Sequence, residues 1–404
     1  MHVLHDENAS LAHSLSRLRR DCRVSERYSC EQNALSFAWA MQTIERKQLE
    51  RYFATLYNAA VEILNIQPLG KAKPGPGALK GYGYGTPLRV DLSVDGRRES
   101  VVLSTVNPGG FGHQRMSDRA ALLLWQFQGF NSLPRHVKAL DVGGFTRKGP
   151  TSLGRVEELF LITEFVEGAE YAEDLNRIRR EGTAEALDLE RAEALARYLV
   201  EIHAEKRDDP GMYERRTREL VGHNECLMGL TDSYPADHPA VSPDMLLDIE
   251  KRCVEWRWRL KKFTHRLSRV HGDFHPFNLL FREGRDFSVL DRSRGSYGEP
   301  ADDLAALCVN YLFWSLLQKH VFAPPFQSLW DTFFKAYLEA SRDEEVLSVL
   351  PPYLTWRILV VASPVWYPNY DLAIRKALLR FARNVLDVAA LDPFDVASLL
   401  EEDR

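Results

Sequence analysis

Between Leu88 and Val94 the side chains alternate, with Leu88, Val90, Leu92 and Val94 apolar and Arg89, Asp91 and Ser93 polar. A period of two belongs to a strand with one buried face. Asp95-Gly96 follows as a tight-turn dipeptide, and Val101-Val102-Leu103 opens a return strand. Residues 81–105 therefore read as a glycine-rich turn, a strand, a hairpin and a second strand. A helix is predicted from His113 to Gln128, and strands from His136 to Val142 and from Leu159 to Phe165. Upstream, Ile44, Leu49, Phe53, Leu56 and Ala60 recur at helical intervals and predict a helix across Met41–Leu64, while Lys71–Gly77 is a breaker-rich loop. Strands with one interposed helix describe a small α+β lobe.

After Gly168 the period becomes helical. Leu195, Leu199 and Ile202 mark one face of a helix that ends near His203. Ser242-Pro243 is a cap residue followed by proline at the first helical position, and Leu246, Ile249, Cys253, Trp256 and Leu260 continue that helix. A last stripe runs through Ile374, Leu378, Phe381, Val385 and Val388. These stripes are core packing.

Between the helical blocks lies a non-helical interval, Val270 to Pro300. It reads H-G-D-F-H-P-F-N-L-L-F over His271–Phe281, then a turn over Arg282–Arg285, then F-S-V-L-D over Phe287–Asp291. The two apolar runs predict a buried hairpin that Asn278 enters and Asp291 leaves, with Asp273 one loop away. Phosphoryl transfer needs this inventory. Charge on the γ-phosphate must be offset by a metal held on oxygen ligands, and one carboxylate and one amide suit Mg²⁺. A separate carboxylate must face the incoming hydroxyl. Asp273 fits the base role, and Asn278 and Asp291 fit the metal role.

Bulk properties narrow the picture without changing it. The chain has 404 residues, 45% hydrophobic and 27% charged, with a formal net charge of -5. This balance argues against a broad nucleic-acid surface. Five scattered cysteines (Cys22, Cys30, Cys226, Cys253 and Cys308) form no C-x-x-C pair, which fits a reducing compartment. No secretory signal is read at the N-terminus, and the most apolar run, Ile358–Ala362, is far short of the roughly 20 residues that span a bilayer. A cytoplasmic protein without a membrane partner is expected.

H-G-D-F-H-P-F-N followed by V-L-D resembles the catalytic and metal loops of the aminoglycoside phosphotransferase family, which is related in fold to choline kinases and protein kinases. Gly298-Glu-Pro-Ala-Asp-Asp303-Leu-Ala305 resembles the segment that ends that family's metal loop and opens the next helix. The resemblance implies an α+β, protein-kinase-like bilobal fold: a small antiparallel-sheet N-lobe with one helix and a larger, mainly helical C-lobe. It divides the chain into a helical extension (1–64), a nucleotide-binding N-lobe (65–166) and a C-lobe (167–404) with its catalytic and metal loops at 270–305. It implies ATP or GTP as co-substrate, Mg²⁺, and a small-molecule hydroxyl as acceptor. Gly81, Tyr82, Gly83, Tyr84 and Gly85 would lie over the phosphates, and Glu164 and Val166 would hold the base at the hinge. His271, His275 and Arg292 would support the loops, and Asp303 would be a cap or loop anchor.

One departure stands out. The strand position that carries a phosphate-pairing lysine in kinases is Ser104 here, and no lysine occurs between Lys80 and Lys138. Arg89, Arg115, Arg119 and Arg292 are candidate substitutes, and Asp118 is a candidate for the helix carboxylate that pairs with such a cation. Loss of the lysine leaves open two alternatives: a catalytically weak nucleotide-binding homologue, or nucleotidyl transfer to a protein.

Overall fold

Arg46–Tyr57 forms α1 in a computed structural model that describes residues 45–69, 85, 87–107, 113, 116–146, 149–151, 158–292 and 294–401. The helix ends where Asn58 turns left-handed (φ +49°) and its N–H returns to the Ala54 carbonyl. The chain then runs as strand β1 (Val61–Pro68), so the helix predicted to reach Leu64 stops seven residues earlier. The reason is burial: β1 is an edge strand with only Ile63 buried, and its exposed positions carry too little alternation to announce a strand.

β2 (Leu88–Val94) and β3 (Arg97–Thr105) pair across the predicted turn, where Asp95 (φ +47°) and Gly96 (φ +80°) both adopt the left-handed conformation that a two-residue hairpin needs. Helix α2 (Met116–Phe130), β4 (Ala139–Thr146), β5 (Gly149–Thr151) and β6 (Glu158–Glu164) complete the lobe. The sheet is antiparallel, in the order β1-β2-β3-β6-β4-β5. Leu49 and Phe53 of α1 pack on one face with Val90, Leu92, Val101, Leu103, Phe160 and Ile162. Leu123 and Phe130 of α2 pack with Leu161 on the other. The described part of the expected extension is therefore a second N-lobe helix and an edge strand.

Phe165–Gly168 crosses to the C-lobe. There the chain forms β7 (Ala169–Glu170), α3 (Tyr171–Glu181), α4 (Ala186–His203), α5 (Pro210–Gly222), α6 (Leu227–Thr231) and α7 (Pro243–Leu260). Ser242 caps α7 as its sequence predicts, accepting from the Met245 N–H. The short strands β8 (Ser268–Arg269), β9 (Leu279–Phe281), β10 (Phe287–Val289) and β11 (Tyr297–Gly298) frame the loops of the site. Helices α8 (Pro300–Lys319), α9 (Phe326–Ser341), α10 (Pro351–Ala362) and α11 (Leu372–Asn384) follow. α8 is buried from Pro300 to Leu316 and forms the axis of the lobe. Cys226, Cys253 and Cys308 are buried free thiols in this core. Among the described residues, no helix is long and apolar enough to cross a membrane.

Candidate active site

β9 and β10 pair antiparallel, Leu279 opposite Val289, so the predicted hairpin is formed and brings Asn278 beside Leu290. The Leu290 N–H donates to the Asn278 carbonyl at 2.8 Å, and the Asn278 side-chain amide donates to the Asp273 carbonyl at 3.0 Å. Asp291 follows at once, with left-handed backbone (φ +53°), and accepts on Oδ1 from Gln126 of α2 at 2.8 Å. A non-glycine residue there costs about 1–2 kcal/mol, a kind of strain concentrated at functional sites. The hairpin thus sets the backbones of Asn278 and Asp291 side by side, with the Asp273 backbone one hydrogen bond away.

The loop carrying Asp273 is anchored from beneath. Gly272 (φ +86°) supplies the bend. Asp303, fully buried in the first turn of α8, accepts from the backbone N–H of His271 at 2.7 Å and of Gly272 at 2.6 Å. His203 at the end of α4 meets the same carboxylate at 3.1 Å and Tyr337 at 3.0 Å. Asp303 is therefore a loop anchor, while Glu299 caps α8. His271 accepts from the Asp273 N–H at 3.2 Å. His275 accepts from the Phe277 N–H at 3.2 Å and sets its Nε2 3.5 Å from Asp273 Oδ2.

Arg357, a residue that sequence reasoning missed, reaches the site from α10 and donates to Asp273 Oδ1 at 2.6 Å. No local motif surrounds it, and it lies 84 positions from Asp273, so nothing in the spacing signals the contact. Burial alone would raise the Asp273 pKa, but His275 and Arg357 outweigh it and hold the carboxyl well below its usual range.

The candidate cations separate by geometry. Arg292 does not replace the lysine. It is buried and donates to the carbonyls of Val270, Gly129 and Ser296 and to Ser132 Oγ, stitching α2 to the catalytic loop. Arg89 is engaged elsewhere too, with Asp91 at 2.8 Å, Ser100 at 3.2 Å and the Phe165 ring at 4.2 Å. Arg119 lies on the buried side of α2 and donates to the His113 carbonyl at 3.0 Å. Ser104 sits in β3 opposite Leu161, the sheet face that α2 covers. Asp118 lines a cavity of about 200 Å³ between α2, the α5–α6 turn and α10, on the helix side of Leu122 and Trp125.

Of the glycine turn, Gly81, Tyr82, Gly83, Tyr84 and Arg115 beyond it lie outside the described residues. Gly85 passes so close to β3 that a Cβ there would collide with the Thr105 carbonyl oxygen. Glu164 closes β6, accepting on its side chain from the Lys138 N–H at 2.9 Å, and Val166 packs against the α2 cluster.

Two buried imidazoles lie behind the loop, His136 and His271, with rings 5.9 Å apart. Desolvation, with the neighbouring imidazole second, lowers His136 to about 3. Desolvation lowers His271 to about 4 against the opposing pull of Asp303. The unfolded chain takes up these protons near pH 6.5 and the folded chain does not, so stability present above that pH is lost as pH falls towards 3–4. At pH 5 the His136 contribution alone is about 2 kcal/mol. We expect His136→Gln to flatten the decline of unfolding free energy between pH 7 and pH 5, measured by denaturant titration; a slope equal to the wild type contradicts this account.

Against this geometry, the family model described as APH, phosphotransferase enzyme family, matches residues 135–347, more than half of the chain. Among solved structures, the amicoumacin kinase hAmiN in complex with AMP-PNP, Ca²⁺ and Ami is 15% identical, covering 89% of this chain and 98% of its own, with a TM-score of 0.51. A thermostable mutant of aminoglycoside phosphotransferase APH(4)-Ia in apo form is 15% identical over 87% of this chain and 95% of its own, with a TM-score of 0.41. A putative fructosamine-3-kinase from Haemophilus somnus 129PT is 10% identical over 84% and 98%, with a TM-score of 0.48. At such identities the first likeness is one of fold: a kinase-like antiparallel lobe joined to a helical lobe. No curated protein sequence matches the chain.

Proposed function

Since the chain belongs to the phosphotransferase enzyme family, we propose that it moves the γ-phosphate of ATP or GTP to a hydroxyl of a small molecule. The observation that carries this reading is the backbone placement of the three residues: the Asn278 amide bonds the Asp273 carbonyl at 3.0 Å, and Asp291 follows Leu290, whose N–H bonds the Asn278 carbonyl at 2.8 Å. Asp273 faces the acceptor hydroxyl and orients it. A carboxylate held so far below its usual pKa is a weak base, which suits a loose transition state in which the nucleophile need not be deprotonated early.

Asn278 and Asp291 would hold Mg²⁺. Their donors fit a hard cation: an amide oxygen oriented by its own NH₂ bond to Asp273, and a carboxylate steadied by Gln126. Among the described residues no group of three or more His, Cys, Asp or Glu side chains could hold a metal by itself. Water and phosphate would complete the shell, as Mg²⁺ prefers. When bound, the ion supplies positive charge against the phosphate oxygens. The hinge, with backbone groups at Glu164 and Val166, would hold the base, and the Gly81–Gly85 turn would cover the phosphates. Arg89, Arg119 and Arg292, the described candidates for the lysine's place, each already bond groups of the fold.

A second reading, nucleotide binding with slow or no turnover, is favoured by Ser104. A charged hydrogen bond contributes about 1.5–3 kcal/mol, so its loss alone would slow turnover by roughly tenfold to a hundredfold. The test is purified protein with ATP or GTP and a panel of hydroxyl metabolites, with Mg²⁺ or with excess EDTA. We expect nucleotide to raise the melting temperature, through a stabilisation of about 2.7 kcal/mol at a hundred times Kd. We also expect phosphate transfer or slow hydrolysis that EDTA abolishes. A melting shift without turnover selects the second reading; neither shift nor turnover removes both. Mass spectrometry of the protein and acceptor separates an added phosphate from an added nucleotide monophosphate.

A further inference from the structure

Arg357 lies in the middle of α10, a helix that none of the motif residues occupies. The residue is 5% exposed, and its guanidinium spends three nitrogens on three acceptors. Nη1 donates to Asp273 Oδ1 at 2.6 Å, and Nη2 to the Gly272 carbonyl at 2.8 Å and to Asp302 Oδ1 at 2.6 Å. Nε reaches the same Asp302 oxygen at 3.1 Å. Its Cζ lies over the Trp356 ring, 3.9 Å from the centroid. Planar and forked, the group is fixed in rotation as well as position by its four hydrogen bonds, which an ammonium could not be.

We propose that Arg357 is a positioning residue for phosphoryl transfer, holding Asp273 Oδ1 so that Oδ2 is the oxygen presented to the acceptor hydroxyl. The inference rests on the phosphotransfer reading of the same site. Three features carry it. Arg357 bonds Oδ1 at 2.6 Å while His275 Nε2 lies 3.5 Å from Oδ2, so the shorter Arg357 bond is the main constraint on rotation of the Asp273 side chain about its Cβ–Cγ bond. The same guanidinium grips the Gly272 carbonyl, so backbone and side chain of the loop are fixed by one group. Asp302 holds the same guanidinium from the α8 side, so the arginine is fixed between two carboxylates. Holding a reacting group in one geometry is worth large factors in rate, and a misplacement of about 1 Å can cost 10²-fold.

The probe is Mg²⁺-dependent hydrolysis of ATP, in which water takes the acceptor's place, followed for the wild type, Arg357→Gln and Arg357→Lys. We expect kcat to fall on the order of 100-fold in Arg357→Gln while KM for ATP stays within about threefold. Arg357→Lys, which keeps the charge and loses the fork, should recover only part of that loss. Circular dichroism and the ATP-dependent melting shift establish that each variant is folded and binds nucleotide. Where Arg357→Gln does not fold, Arg357→Lys decides. A folded variant with kcat within about threefold of an active wild type, or a loss confined to KM, overturns the inference and leaves the phosphotransfer reading standing. A wild type that hydrolyses no ATP and transfers no phosphate removes both.

Discussion

Asp273→Asn lowers phosphoryl transfer by about 10²–10⁴-fold while the protein stays folded and still shifts its melting temperature with ATP. That range is what a positioned acid–base group contributes. The substitution keeps an oxygen for Arg357 and removes the anion that accepts from the acceptor hydroxyl. Asp273→Ala should lose at least as much rate. Its stability cost is limited because Arg357 keeps Asp302 as a carboxylate partner and is not left as an isolated buried cation. Steady-state transfer and nucleotide-dependent melting, measured on the same preparations, check both halves. An Asp273→Asn protein with wild-type turnover would mean that Asp273 is not the group facing the hydroxyl.

Asp303→Ala removes the acceptor of two buried backbone donors at once, the N–H groups of His271 and Gly272, and strips His203 of its carboxylate. Each orphaned buried donor costs about 1–3 kcal/mol, so unfolding free energy should fall by about 3–5 kcal/mol. Activity should fall with it, because the released N–H groups belong to the two residues that precede Asp273. Burial tends to raise the Asp303 pKa, yet His203, His271 and the Gly272 N–H hold the carboxyl below its usual value. In the folded protein it therefore ionises below its unfolded pKa. The stability it adds is present above the ordinary carboxylate range and is lost as pH falls through the lower folded value. Denaturant titration of Asp303→Ala at neutral pH tests the size of the effect; a change under about 1 kcal/mol would show that the loop is held by something else.

How much was legible beforehand follows from how far apart the partners are along the chain. The β2–β3 hairpin needed only alternation and Asp95-Gly96, and it formed with Leu88 opposite Leu103. The loop from His271 to Asp291 encodes its own turn and hairpin, so the pairing of Leu279 with Val289 could be read from spacing. Asp303 as an anchor was also within reach, because it opens a helix close behind that loop. The first helix was overrun into β1, because an edge strand with one buried residue carries almost no period of its own.

Arg292 illustrates the limit. Its place beside Asp291 suggests a phosphate contact, yet its four acceptors lie on α2, the turn after it, the start of the catalytic loop and the segment entering β11, and they make it a structural pin. Gln126 meets Asp291 across 165 residues, and Arg357 meets Asp273 across 84. Residue types and short spacings determined the strand, the hairpin and the chemical inventory, because those depend on torsions and on neighbours a few positions away. Which cation touches which carboxylate was decided only when α2, α8 and α10 packed around the loop, because a buried charge takes whatever partner the packing brings within hydrogen-bond reach.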